Sequence, residues 1–412
     1  MEDTVSTPSR LVVLRAPGAV PDATRGRHAR PAEGRDAGPG AGREGARNAA
    51  SAVVEVQDEP TRAQLRELRE DPGVLGFAAA MPLRLIEPLA AEEAGPRATT
   101  WGVDAVGAPA SPFTGDGVTV AVLDTGIDAG HPAFAGVDLV LRDFTGSGST
   151  QDENGHGTHC AGTVFGRDLD GERIGVAPGI GRALIGKVLG GPAGGGSDAL
   201  ASAVLWAAEG GANVISMSLG IDFPGWVAEL VEQRGLPVQA ATSIALEDYR
   251  ANIRLFEQLA NLLEARAPFA QTALIVAAAG NESERDGDPA YEINVSPPAA
   301  AHGVVSVAAL GEGPSGFTVA PFSNTLATVA GPGVGVRSAW PGGGTRTISG
   351  TSMATPHVAG VAALWAQRLL AHGPLAPVEL RSRLVASGTH APLASGSDPL
   401  DVGAGLVQAP RE

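Results

Sequence analysis

Three short blocks of this 412-residue chain carry side chains suited to nucleophilic chemistry. In Gly350-Thr351-Ser352-Met353-Ala354-Thr355-Pro356 a serine opens an Ala/Val-rich stretch predicted to be helical to about Leu370. The unpaired N–H groups and the positive dipole end of a helix start favour negative charge beside Ser352. An ordinary helix cap would look the same. In Asn154-Gly155-His156-Gly157-Thr158-His159-Cys160 a histidine lies between two glycines, so its ring can approach other backbone closely. It reads as a base or as a structural histidine. The His156/His159 spacing also fits a metal pair, but the acid of His-Glu-x-x-His is missing and no third ligand is evident. Asp124 ends the apolar run of residues 118–123, either as a strand-end turn or as an acid that orients a histidine. Serine hydrolysis needs a nucleophile, a base and an acid that holds the base in one tautomer. The chain order Asp124, His156, Ser352 is one of the known triad orders.

Taken together, Asp124-Thr125-Gly126, His156-Gly157-Thr158-His159 and Gly350-Thr351-Ser352-Met353-Ala354-Thr355-Pro356 resemble the signature blocks of the subtilisin family, over roughly residues 100–410. The resemblance implies a serine endopeptidase in which His156 deprotonates Ser352, Asp124 orients His156, and no organic cofactor takes part. Ala278-Ala279-Gly280-Asn281 resembles the block that ends in the oxyanion-hole asparagine, which would be Asn281. The segment from Ser216 to Gly220 resembles the substrate-binding strand. Ser216, Ser218, Leu219, Gly220, Ala278, Ala279 and Gly280 are therefore expected to line the substrate site, with a small apolar pocket that Glu282 could modify. Cys160, one helical turn after His156, resembles a variant of the proteinase K-like branch. Many relatives bind calcium through an acid after the His-Pro of the aspartate block; here His131-Pro132 is followed by Ala133. That leaves Asp168 and Asp170, with Glu172, as the candidate Ca²⁺ ligands. The first 90 residues occupy the place of an inhibitory propeptide, so the chain is expected to be a self-processing zymogen inhibited by its own N-terminal segment.

The elements that must position these residues are also legible. Apolar runs at 118–123, 137–140, 183–189, 214–219, 274–279 and 304–309 alternate with Ala-rich helical segments. This predicts an α/β fold: a mainly parallel twisted sheet with helices on both faces, functional residues gathering at its carboxyl ends. With only 4% aromatics, the core must be built from Ala, Val, Leu and Ile. Residues 1–90 read as a small α/β propeptide-like module: strand, strand, helix from Thr61, strand. Within it residues 17–50 read as a disordered insert. Residues 91–100 read as a linker and maturation region, with self-cleavage expected within 89–100. The catalytic domain is expected at 101–412, with an insertion at 223–271. In it residues 243–266 form an amphipathic helix through Leu246, Tyr249, Ile253, Phe256, Leu259 and Leu263, and narrowed substrate access is its expected effect.

Composition excludes several classes. The formal charge is −16, and residues 1–50 hold eight Arg against six acids, which leaves −18 on the rest. Such a body repels nucleic acid. No apolar stretch of about 18 residues is present for a membrane span. One cysteine permits no internal disulfide. The N-terminus has acids where a secretory signal carries positive charge, and its apolar run spans only residues 11–14. The expected compartment is cytoplasmic as written, with export by another route or from a different start as the alternative. A monomer acting on peptide or protein substrates is expected. A non-catalytic binding module fits less well, because all four chemical positions are filled. An ester hydrolase fits less well than a peptidase, because the extended substrate strand suits peptides.

Overall fold

The computed structural model describes residues 7–18, 52–91, 95, 97–190, 195–267 and 272–412. Most of the expected 17–50 insert lies outside the described residues.

The N-terminal module is built on period-two burial. Strand β1 (Arg10–Arg15) pairs antiparallel with β2 (Val53–Asp58) on one side. Helix α1 (Arg62–Glu70) leads to β3 (Val74–Ala79), which pairs antiparallel with the other side of β1. Leu11 and Val13 pack beneath α1 with Leu68, while Val12 and Leu14 point to the opposite face and join the core of the main body. The Thr61 hydroxyl accepts from the Gln64 N–H and the Gln64 side chain accepts from the Thr61 N–H, a capping box that starts α1 where the sequence indicated.

Residues 82–90 leave this module. They form β4 (Pro82–Leu85) and β5 (Leu89–Ala90). The main body follows with α2 (Trp101–Ala105), β6 (Thr119–Asp124), β7 (Asp138–Asp143), α3 (His156–Phe165), β8 (Arg182–Lys187), β9 (Gly195–Gly196) and α4 (Ser197–Glu209). Next come β10 (Val214–Met217), β11 (Leu219–Ile221), α5 (Phe223–Glu232), α6 (Val238–Arg266), β12 (Leu274–Ala278), β13 (Val305–Gly313) and β14 (Gly316–Val319). The chain continues through β15 (Val329–Pro332), β16 (Val336–Trp340), β17 (Gly344–Ser349) and α7 (Thr351–Leu370).

The central sheet runs β14-β13-β12-β10-β6-β8-β7, with β15 also on β13; every pairing is parallel except β13 with β14. Along β6, Val120 and Val122 face the core shared with α3 and α7, while Ala121 and Leu123 face the one shared with α4 and α6. The α/β architecture with helices on both faces is as the sequence implied.

The insertion holds more helix than the sequence indicated. α6 begins at Val238, five residues before the predicted start, and α5 precedes it. Phe256, Leu259 and Leu263 are buried as the periodicity implied, but Leu246 is 49% exposed, while Ala241 and Ala245 are the residues buried at that end of the helix. α6 lies along β3 of the N-terminal module rather than over the cleft. The buried Asn252 amide donates to Ala79 O and to Asp248 O, both at 2.9 Å. In a full-length Ser352→Ala background, Asn252→Ala strands the Ala79 carbonyl and is expected to cost about 1–3 kcal/mol. A lowered urea midpoint checks this.

Candidate active site

β6 ends on Asp124, whose carboxylate is fully buried. α3 begins on His156, also fully buried. The two meet at 2.7 Å between His156 Nδ1 and Asp124 Oδ1, and the Thr125 N–H donates to the same oxygen at 2.7 Å. The glycines around His156 permit the approach. Gly155 has φ +102°, a left-handed conformation, and a Cβ there would strike Trp340. A Cβ on Gly157 would strike Gly126 O.

Sequence reasoning passed over Asp152, which holds this turn together. Its Oδ1 accepts from Thr125 Oγ1 (2.9 Å), Asn154 N (3.1 Å) and Gly155 N (2.8 Å). Its Oδ2 accepts from Thr158 N (2.8 Å) and Thr158 Oγ1 (2.7 Å). Thr125 Oγ1 in turn accepts from Gly157 N at 2.9 Å. One buried carboxylate thus ties the end of β6 to the start of α3. The only signal in the sequence was its place four residues before His156.

Ser352 lies in the first turn of α7 and is fully buried. Its Oγ is 3.3 Å from Ser218 O and 3.5 Å from Ile86 O, and its own carbonyl accepts from Ser218 Oγ at 3.0 Å. Cys160 Sγ lies 3.8 Å from His156 Nδ1 and 3.4 Å from Ser352 O, so one thiol touches both partners. Among the described residues His156 Nε2 has no hydrogen-bond partner. Asn281 stands opposite. Its Oδ1 accepts from Thr351 N and Thr351 Oγ1, both at 2.9 Å, which turns Nδ2 toward the cleft, where it donates to Glu87 O at 3.2 Å.

The cleft is filled by the chain's own N-terminal segment. β4 lies between β11 and β9, antiparallel to both, in the register Leu219↔Leu85, Gly220↔Arg84, Ile221↔Leu83 and Leu83↔Gly195. β5 continues past Ser352 and pairs antiparallel with β17. Ile86 is 2% exposed, whereas Glu87 is exposed. Ile86 packs over Gly220: a Cβ there would make ordinary contact with the Ile86 side chain at 3.8 Å and sit 3.3 Å from Ser296 Oγ.

Not every expected substrate residue reaches the cleft. The chain breaks pairing at Ser218. Leu219 and Gly220 form the edge that receives β4, but Ser216 lies inside the central sheet, in register with Val122 and Val276. Ala278 closes β12, and Ala279 and Gly280 carry the turn to Asn281, with Gly280 N donating to Thr351 Oγ1 at 3.2 Å. The three acids of the 167–173 loop have different surroundings. Glu172 is buried; Oε1 takes the Arg97 N–H and Oε2 pairs with Arg337 at 3.4 Å, while Asp168 and Asp170 are exposed. Among the described residues the one three-member cluster of metal-binding type is Asp124, His156 and Cys160. His159 does not pair with His156 on a metal. Its Nε2 donates to Val336 O (3.0 Å) and Arg346 O (3.2 Å), and burial pushes its pKa down to about 3.

Burial alone would disfavour the imidazolium of His156, but the Asp124 carboxylate at Nδ1 outweighs it and holds His156 well above the ordinary 6.5. Burial raises the Cys160 thiol, which is therefore protonated beside it. A raised pKa means the base is neutral only at higher pH. In the intact Ser352→Ala chain, ¹⁵N shifts of His156 are expected to report an imidazolium that persists above pH 6.5; Asp124→Asn removes that elevation.

A family model described as the subtilase family matches residues 115–405. Subtilisin Savinase of Lederbergia lenta is 34% identical over 316 residues, covering 75% of this chain and 96% of that protein. An alkaline protease of Shouchella clausii is 34% identical over 316 residues, covering 75% of this chain and 68% of that protein. An intracellular serine protease of Paenibacillus polymyxa is 35% identical over 270 residues, covering 64% of this chain and 71% of that protein.

Proposed function

This chain belongs to the subtilase family and is a serine-type endopeptidase, and from that premise we propose how its residues divide the work. Ser352 Oγ attacks a peptide carbonyl as His156 Nε2 removes its proton, with Asp124 holding the ring through Nδ1. The developing oxyanion is met by Asn281 Nδ2 and the Ser352 N–H. His156 then protonates the leaving amine, the acyl-enzyme forms on Ser352, and water releases it by the same steps in reverse. No organic cofactor enters this chemistry.

One observation carries the assignment: β4 is seated as an added strand on β11, and its continuation brings the Ile86 carbonyl to 3.5 Å from Ser352 Oγ. An extended peptide held by backbone pairing, with a carbonyl at the nucleophile, is how a substrate would lie. For attack, the serine hydroxyl has to turn from the Ser218 and Ile86 carbonyls to His156 Nε2. Asn281 Nδ2 has to move from Glu87 O to Ile86 O.

The same placement supports self-processing between Ile86 and Glu87, upstream of the 89–100 region that composition suggested. Ile86 is the buried residue, packed over Gly220, whereas Glu87 is exposed and precedes Pro88, whose ring nitrogen would make a poor leaving amine after it. The N-terminal module then acts as an intramolecular inhibitor that occupies the cleft until it is released. As to compartment, among the described residues no helix is long and apolar enough to cross a membrane.

N-terminal sequencing of the processed protein is expected to begin at Glu87, whereas a start at Pro88 or beyond would assign a different bond. Ser352→Ala is expected to remain full length and to lose labelling by a fluorophosphonate. Asn281→Ala should lower kcat by about 10²–10³, the range established for the asparagine donor of subtilisin, a relative of this chain; casein or peptide turnover measures it.

A further inference from the structure

The segment in the cleft carries one charged side chain between apolar ones: Leu83-Arg84-Leu85-Ile86. Arg84 faces Gly220 in the antiparallel register and is the third residue before the Ile86–Glu87 bond. Its guanidinium reaches two carboxylates. Nη2 bonds Glu282 Oε1, and Nη1 lies 3.8 Å from Asp222 Oδ1. The three side chains are 35%, 26% and 30% exposed, so the pairs are partly shielded from water.

The two acids are held in place by groups that do not depend on Arg84. Glu282 directly follows Asn281. Its N–H and that of Ser283 both donate to Asn324 Oδ1 at 3.1 Å, and the fully buried Asn324 donates Nδ2 to Glu282 Oε2 at 2.5 Å. One carboxylate oxygen is thereby fixed and the other is presented to the cleft. Asp222 caps α5, accepting from Gly225 N at 3.1 Å. A planar fork of N–H donors spans two separated carboxylates better than a point-charge ammonium does.

We propose that Glu282 and Asp222 form a substrate subsite that selects peptides with a basic side chain, arginine above lysine, at the third residue before the cut. The proposal rests on the reading of the cleft as the substrate channel. The chain's own Arg84 is the occupant seen in it, and released substrates take the same place. Because Glu282 shares a turn with Asn281, occupancy of this subsite also steadies the segment that carries the oxyanion donor.

The test uses the full chain after it has processed itself, and hexapeptides Leu-Xaa-Leu-Ile-Glu-Pro with Arg, Lys, Gln or Glu as Xaa, cleavage being followed by mass spectrometry. Partly exposed pairs give modest energies, so kcat/KM is expected to be about tenfold higher for Arg than for Gln, with Lys between them, Glu lowest, and the spread shrinking at high salt. Glu282→Gln and, separately, Asp222→Asn should each shrink the Arg-to-Gln ratio, and Glu282→Lys should turn the preference toward Glu. Equal kcat/KM for all four peptides in the unmutated enzyme, with efficient cleavage after Ile, overturns the subsite and leaves the hydrolytic reading standing. If no peptide is cut and a fluorophosphonate leaves Ser352 unlabelled, the reading of the cleft falls and the subsite with it.

Discussion

A carboxylate and an imidazole removed from water together set the terms for the rest of this molecule. Asp124 and His156 are both fully buried and 2.7 Å apart. Taking such ions out of water costs several kcal/mol each unless their geometry and remaining hydrogen bonds compensate. The compensation is spread over neighbours: the Thr125 N–H on Asp124, and the Asp152 carboxylate that gathers Thr125, Asn154, Gly155 and Thr158. That network needs β6 to end and α3 to start at fixed positions. The parallel sheet supplies this by presenting the carboxyl end of β6 beside those of β8 and β10.

Around this pair the body leaves backbone edges open, and the N-terminal segment closes them. β11 and β9 on one side of Ser352 and β17 on the other are the edges that β4 and β5 complete. Recognition through backbone hydrogen bonds tolerates many sequences, so selectivity falls to the side chains that alternate along the added strand. Ile86 enters beside Gly220, Leu83 packs near Gly195, and Arg84 meets the acids. The long helix α6 contributes to the same event from a distance: it grips β3 through Asn252 and its apolar face, and so holds the module whose trailing strand lies in the cleft.

The identities of the chemical residues were legible because each is set in a local pattern. Glycines flank His156, an apolar run ends on Asp124, and a glycine leads into the helix whose first turn holds Ser352. The chain order of the three then made them a set. Strands legible as apolar runs came out as strands, and the Thr61 capping box started α1, because burial period and cap chemistry act within a few residues. What those patterns cannot carry is the partner across the fold. Ser216 and Ser218 are two residues apart, yet one is inside the sheet and the other at the nucleophile, since the strand parts from the sheet between them. Asp168, Asp170 and Glu172 looked like one loop of ligands until Arg337 and the Arg97 N–H took Glu172.

The sequence by itself therefore determined the α/β class and the presence of an N-terminal module, and it singled out Asp124, His156, Ser352 and Asn281 as the candidate set, because these rest on short-range chemistry and periodicity. Only the tertiary structure put the Ile86 carbonyl beside Ser352, α6 along β3 of the module, and Glu282 against Arg84. Arg84 and Glu282 are 198 residues apart. No local pattern joins them; the return of β4 to the edge of β11 does.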